Sequence, residues 1–191
     1  MILEKHVVGA FKTNCYIIGD KETNEVVLID AGDGYDSVLE VIKQKGYVIK
    51  HLLITHGHFD HILGIDKVKN FTQITPRMNI ADKGIARALS DFSNVVEGDI
   101  FTVGRHSLRA SEVPGHSEGS VCYSCKDIIF SGDTLFRDMI GRTDLHGGNL
   151  EKLTSSIKNK LLRFDDNVRV LPGHGPETTI GHERANNPFL L

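Results

Sequence analysis

The most constraining feature of this chain is the run Thr55-His56-Gly57-His58-Phe59-Asp60-His61, set directly behind a short apolar strand at residues 52–55. In an extended chain end, His56 and His58 stand two residues apart and aim both rings to one side. Asp60 and His61 fall in the turn that opens the next helix, so they approach from a second angle. Two pairs of ligand atoms then face a common point. Imidazole nitrogens mixed with carboxylate oxygens suit zinc, iron or manganese better than calcium or magnesium. At this chain's His and Asp frequencies, H-x-H-x-D-H arises by chance in about one such sequence in 500, so the spacing is informative. Burying four such groups beside an apolar strand with nothing to bind is costly, which weighs against a solvated loop.

Three further segments repeat one layout, a strand followed by a glycine-flanked ligand type. Val113-Pro114-Gly115-His116 follows a strand at 108–113, and Gly132-Asp133-Thr134 follows one at 127–130. Pro172-Gly173-His174-Gly175-Pro176 follows one at 168–171. Glycine lets the backbone bend sharply and approach a site closely. Singly, each segment is an ordinary surface turn; four deliveries in one chain point to a shared edge.

Strands are also expected at 14–18, 25–29, 49–55, 100–103 and 120–125, from β-branched and aromatic enrichment. Asp36 is expected to cap a helix that Gly46 stops, and helices are expected at 59–68, 83–89 and 150–164. Helices interspersed through two strand-rich halves predict layered α/β packing. With 191 residues, 40% hydrophobic and 25% charged, the chain can bury one core without disulfides. A net charge of −3 gives no basic field for nucleic acid, and no apolar run reaches the roughly 20 residues that cross a bilayer. Three cysteines and a polar start at Glu4-Lys5-His6 predict a reducing, cytoplasmic setting.

With these segments in order, the sequence resembles the metallo-β-lactamase-fold hydrolases, and more narrowly the short, single-domain members of their glyoxalase II-like branch. The likeness runs through Asp30-Ala31-Gly32, the T-H-x-H-x-D-H run, P-G-H-S at 114–117, S-G-D-T-L-F at 131–136 and P-G-H-G-P at 172–176. It implies a four-layer αβ/βα sandwich, with two mixed sheets inside and helices on the outer faces. It places His56, His58 and His116 on one metal and Asp60, His61 and His174 on a second, with Asp133 bridging. Asp60 and Asp133 are the implied catalytic carboxylates, and Asp30 steadies the histidine loop. The implied cofactors are two zinc ions, with iron or manganese as substitutes. The implied chemistry is attack by a metal-bridging hydroxide on a small-molecule thioester such as S-lactoylglutathione.

Residues 1–191 read as one domain without the helical C-terminal domain that grips glutathione in authentic glyoxalase II enzymes. Arg142 stands where those enzymes place a glutathione-contacting Lys, and Asp144 where they place a Tyr; Arg142 either grips a substrate carboxylate or pairs with Asp144. Glu183 is either a support for the site or a solvated position. His146 is a candidate pocket residue, whereas His6, His51, His106 and His182 are expected at the surface or in simple hydrogen bonds. Cys15, Cys122 and Cys125 are expected as buried small hydrophobes. Two other functions compete. Persulfide dioxygenases share the fold and the Gly141-Arg142-Thr143-Asp144 run and hold one iron on the counterparts of His56, His116 and Asp133. A non-catalytic metal-holding module is the other. No inserted region is long enough for a nucleic-acid partner, no membrane partner is implied, and the sequence sets no oligomeric state.

Overall fold

The computed structural model describes residues 1–87 and 89–191. Strands β1 (Ile2–Val8), β2 (Thr13–Gly19), β3 (Glu25–Ile29) and β4 (Val48–Leu53) pair in sequence order. The two-residue strands β5 (Arg77–Met78) and β6 (Ser93–Asn94) complete a first six-stranded sheet. The second sheet is built from β7 (Ile100–Val103), β8 (His106–Glu112), β9 (Val121–Cys125) and β10 (Ile128–Gly132). A small hairpin of β11 (Leu135–Phe136) and β12 (Met139–Ile140) follows. Strands β13 (Arg169–Pro172) and β14 (Thr178–Thr179) then join the second sheet beyond β10, giving the order β14-β13-β10-β9-β8-β7. Both sheets are mixed: β3 and β4 are parallel beside antiparallel β1–β3, and β10 and β13 are parallel beside antiparallel β7–β10.

Alternation along the strands builds the layers. Tyr16, Ile18, Val27, Ile29 and Leu53 face the second sheet, where they meet Leu108, Tyr123, Phe130 and Leu171. Their neighbours Ile17, Val26, Leu28 and Leu52 point the other way, onto Val38 and Ile42 of α1 (Asp36–Lys45) and Ile65 and Val68 of α3 (Ile65–Thr72). On the far side, Cys122, Ile129 and Val170 pack against Leu153, Ile157 and Ile180. Those three come from α4 (Leu150–Ser156), its wider-wound extension Ile157–Leu161, and α5 (Ile180–Asn186). Strands covered on both faces carry continuous apolar runs, and the result is helix, sheet, sheet, helix.

Several sequence expectations are corrected in detail. The helix expected at 59–68 is two pieces, α2 (Phe59–Ile62) and α3, broken at Leu63-Gly64. The break follows from close packing: Gly64 N–H donates to the Ala31 carbonyl at 2.7 Å, and a Cβ on Gly64 would stand 2.4 Å from the Gly32 oxygen. A short 3₁₀ turn at Ile80–Gly84 replaces the start of the helix expected at 83–89, and Ala88 in that stretch lies outside the described residues. Asp36 is the first helical residue and not the cap; its carboxylate pairs with Lys67. Gly46 does stop α1, in the left-handed conformation at φ 63°.

Candidate metal centre

Strand direction puts every proposed ligand at one edge. β8, β10 and β13 run the same way, as do β3 and β4, so their carboxyl ends emerge together. Asp30 follows β3, the histidine run follows β4, and His116, Asp133 and His174 follow β8, β10 and β13. The two sheets are fastened at this edge. Val121 N–H donates to the Thr55 carbonyl at 2.8 Å, and Asn14 N–H donates to the Gly173 carbonyl at 2.7 Å.

The structure brings all seven groups together. His116 Nε2 lies 2.9 Å from His58 Nδ1 and 3.2 Å from His56 Nε2. His174 Nε2 lies 3.3 Å from His61 Nε2 and 3.1 Å from Asp60 Oδ2. Asp133 sits between these two clusters: Oδ1 is 3.4 Å from His61 Nε2, while Oδ2 is 3.6 Å from His174 Nε2 and 3.9 Å from His116 Nε2. Two nitrogens on one tetrahedral cation, each at about 2.0–2.1 Å, lie about 3.3 Å apart, close to the spacings found here. The ligand atoms of His56, His58 and His116 lie within 4.8 Å of one another, as do those of Asp60, His61 and His174. Asp133 Oδ1 is buried and makes no hydrogen bond, an open acceptor that a cation would satisfy. The donor set and its spacing therefore fit a pair of divalent metals.

Electrostatics agree. Burial, then the neighbouring histidines His61 and His116, hold His56 well below its ordinary value, so its ring presents a lone pair. Burial and His116 lower His58 as well. Burial opposes charge on His61, but the carboxylates of Asp133 and Asp30 outweigh it and raise the ring well above the usual range. Burial also works against the charge on Asp133, yet His61 and His174 keep its carboxyl below the ordinary value. A cation binding here would take the place of the protons that these imidazoles and carboxylates hold between them.

The rings are aimed from behind. Asp30 Oδ2 lies 2.8 Å from His61 Nδ1, while Thr55 donates to both Asp30 oxygens, from its N–H at 2.7 Å and its hydroxyl at 2.8 Å. His116 Nδ1 donates to the Arg142 carbonyl at 2.9 Å, which leaves Nε2 free to face the centre. Asp82 escaped the sequence reading. It is almost fully buried and accepts from Gly57 N–H at 2.8 Å, Gly119 N–H at 2.7 Å and the Ser117 hydroxyl at 2.7 Å. It thus ties the His56–His58 loop to the His116 loop, and nothing local marks it, because its partners lie 25 to 37 positions away. Tyr16 and Asn14 were missed for the same reason; the Tyr16 hydroxyl and the Asn14 amide donate to the Pro172 carbonyl at 2.7 and 2.9 Å.

Other residues find their places. The Arg142 guanidinium forks onto Asp144 with two contacts of 2.8 Å, and Arg142 also lines the approach to the centre. Glu183 is fully buried and not solvated: it accepts from Asp138 N–H, the Thr178 hydroxyl and the Asn187 amide. His106 is buried in β8, with Nδ1 unpartnered, and is neither exposed nor hydrogen-bonded there. His182 bonds Asp138 at 2.6 Å. Two clefts open onto the centre. One, of about 510 Å³, is lined by Phe11, Phe59, Ile85, Leu145, His146 and ligand residues. The other, of about 520 Å³, extends past Gly141 and Thr143; both reach His116, Asp133 and Arg142.

Residues 8–174 match the metallo-beta-lactamase superfamily. The chain belongs to that superfamily. Hydroxyacylglutathione hydrolase GloC of Haemophilus influenzae is 34% identical over 100% of this chain and 98% of its own length. Probable metallo-hydrolase YqgX of Bacillus subtilis is 38% identical over 96% of this chain and 94% of its own. Among solved structures, BLEG-1 B3 metallo-beta-lactamase superposes with a TM-score of 0.91 at 32% identity, covering 99% of both chains. ETHE1 from Myxococcus xanthus gives 0.88 at 30% identity, covering 98% of this chain and 84% of that one. TTHA1623 in a di-iron-bound form gives 0.86 at 31%, covering 98% and 100%. The superfamily and the paired donor sets together make this a metal-dependent, hydrolase-type protein.

Proposed function

We propose that the chain is a thioesterase acting on S-lactoylglutathione or a similar hydroxyacyl thioester. The carrying observation is the complete double donor set on the floor of an open cleft. In this proposal residues 1–191 act as one metallo-β-lactamase domain. His56, His58 and His116 hold one metal, Asp60, His61 and His174 hold the other, and Asp133 serves both. Two zinc ions are the proposed occupants; the di-iron form of TTHA1623 supports iron as a substitute. Such a pair supplies hydroxide at neutral pH and a Lewis acid for the carbonyl.

The chain's own residues do the rest. Asp60 and Asp133 present acceptor oxygens at the floor, where they orient the attacking water. Asp30 and the Arg142 carbonyl fix His61 and His116 in single tautomers. A leaving thiol with a pKa of about 8.5 departs as thiolate, so the reaction needs no proton donor from the cleft. A cysteine nucleophile has no support, since Cys15, Cys122 and Cys125 are all buried. The likeness to GloC favours the glutathione thioester. A small-molecule partner and a cytoplasmic setting go with this proposal, and no described helix is long and apolar enough to cross a membrane.

Metal-loaded protein should release free thiol from S-lactoylglutathione. Failure there, with brisk cleavage of an unrelated ester or phosphodiester, contradicts the substrate assignment. The similarity to ETHE1 keeps one second reading, persulfide oxidation on a single iron. Oxygen uptake with glutathione persulfide, absent thioester turnover, would establish it; stoichiometric metal with neither activity would leave a binding module.

A further inference from the structure

The two clefts share His116, Asp133 and Arg142 but differ in the rest of their walls. The first adds four polar side chains, His58, Asp60, His146 and His174, and four apolar ones, Phe11, Phe59, Ile85 and Leu145. The second adds Phe136, Met139, Ile140, Leu150 and Phe189, with the Thr143 hydroxyl as its one further polar side chain. The Arg142 cation at the junction is already neutralised by Asp144. Met139, Leu150 and Phe189 come from three separate segments and are 57%, 53% and 46% exposed. Large apolar side chains converging in the open beside a reactive centre mark a binding wall.

Phe189 is held there by a buried polar frame. Asn187 and Glu183 are each 0% exposed and bond one another at 2.7 Å. The Asn187 amide donates to the Met139 carbonyl at 3.1 Å, its side-chain oxygen accepts from Phe189 N–H at 3.1 Å, and its carbonyl accepts from Leu190 N–H at 3.0 Å. Glu183 also accepts from Asp138 N–H at 3.0 Å, so the same frame holds the β11–β12 hairpin that carries Met139. Two fully buried polar side chains thus fix the spacing between an exposed Phe and an exposed Met. The same bonds seat the neighbouring Leu190 in the outer core and leave Phe189 outside it.

Taking the thioester reaction above as given, we propose that this second cleft is the acyl subsite, that it takes an unbranched apolar acyl chain longer than lactoyl, and that Phe189 sets its specificity. The carrier thiol, which has both polar and methylene groups, runs along the first cleft, whose wall mixes hydrogen-bonding side chains with Phe11, Phe59, Ile85 and Leu145. With the carbonyl over Asp133 and His116, which both clefts reach, the acyl arm enters the nearly all-apolar cleft and the carrier arm the mixed one.

The test uses metal-loaded full-length protein, S-acylglutathiones from acetyl to octanoyl, and binding of the non-hydrolysable S-octylglutathione. Each added methylene should raise kcat/KM by about fourfold until the cleft is filled, from the free energy of burying one CH₂. Phe189→Ala should flatten that rise and weaken S-octylglutathione about tenfold while metal content stays at the wild-type level; Phe189→Leu should restore most of the slope. Phe11→Ala, in the first cleft, should keep the slope. Thioesters cleaved with no dependence on chain length, or a slope lost in Phe11→Ala and kept in Phe189→Ala, overturn the subsite and leave the thioesterase standing. No thioester cleaved, with Phe189-dependent S-octylglutathione binding intact, overturns the thioesterase and keeps the apolar subsite.

Discussion

At the scale of single residues, the centre depends on groups that never reach it. Asp82 fixes the distance between two ligand loops by accepting three hydrogen bonds where water cannot enter. Asp82→Ala leaves two buried N–H donors unpaired and frees both loops. It should weaken metal binding at the His56, His58 and His116 position by about 10–100-fold, as such supporting contacts do elsewhere. Competition with a chromophoric chelator measures this; two unaltered affinities would deny Asp82 the role. Gly173 is as strict for a steric reason: a Cβ there would stand 2.3 Å from Asp133 Oδ1 and 2.6 Å from His61 Cε1. Gly173→Ala should therefore lower metal occupancy, by metal analysis, without unfolding the protein. The seven donor residues were legible in the sequence because each sits in a local pattern of strand, glycine and donor. Asp82, Asn14 and Tyr16 were not, since they act through backbone groups distant in sequence.

At the scale of elements, the long strands from β2 onward were legible from their apolar runs, with ends that moved by one or two residues, whereas β1 (Ile2–Val8) was not, because Glu4, Lys5 and His6 interrupt its run. The expected strand at 127–130 is Ile128–Gly132, and that at 168–171 is Arg169–Pro172. The two-residue strands β5, β6, β11, β12 and β14 left no periodicity to read; tertiary pairing alone creates them. The break between α2 and α3 was hidden too, because it comes from Gly64 meeting the Ala31-Gly32 loop that follows β3. At the edge away from the metal centre, the β2–β3 turn is stapled to the β7–β8 turn by Asp20, which accepts from Arg105 N–H at 2.8 Å, Arg105 Nε at 3.1 Å and Glu22 N–H at 2.9 Å. Hydrogen bonds from the Arg105 and Glu22 backbones, with the guanidinium, hold this carboxyl far below its ordinary value. A carboxyl depressed in the folded state stabilises above its unfolded pKa of about 3.9 and loses that contribution as pH falls toward the folded value. The gap in urea midpoint between wild type and Asp20→Asn should be full at pH 6 and shrink steadily below pH 4. A gap that grows on acidification would show the sign to be wrong.

At the scale of the whole molecule, two six-stranded sheets with a shared core place the carboxyl-terminal ends of β3, β4, β8, β10 and β13 at one edge, and the candidate donors follow those ends. The layered α/β class followed from the alternation of helices and strands, while the pairing order did not, since β13 crosses to lie beside β10 rather than β14 alone. The cysteines show how complete the layering is. Cys122 faces the outer helices and Cys125 the space between the sheets, three positions apart on one strand. Burial pushes the Cys122 thiol up to about 12 and raises Cys125 as well. Folded protein should leave a thiol reagent at pH 8 nearly unreacted, and all three thiols should titrate once it is unfolded; a fast-reacting thiol in the native state would show an open layer.

The most direct test is metal stoichiometry by equilibrium dialysis and elemental analysis, on wild type and Asp133→Ala together. A carboxylate shared by two donor sets predicts two equivalents per chain in the wild type and a loss at both positions in the variant. One equivalent in the wild type, or two retained without Asp133, would contradict it.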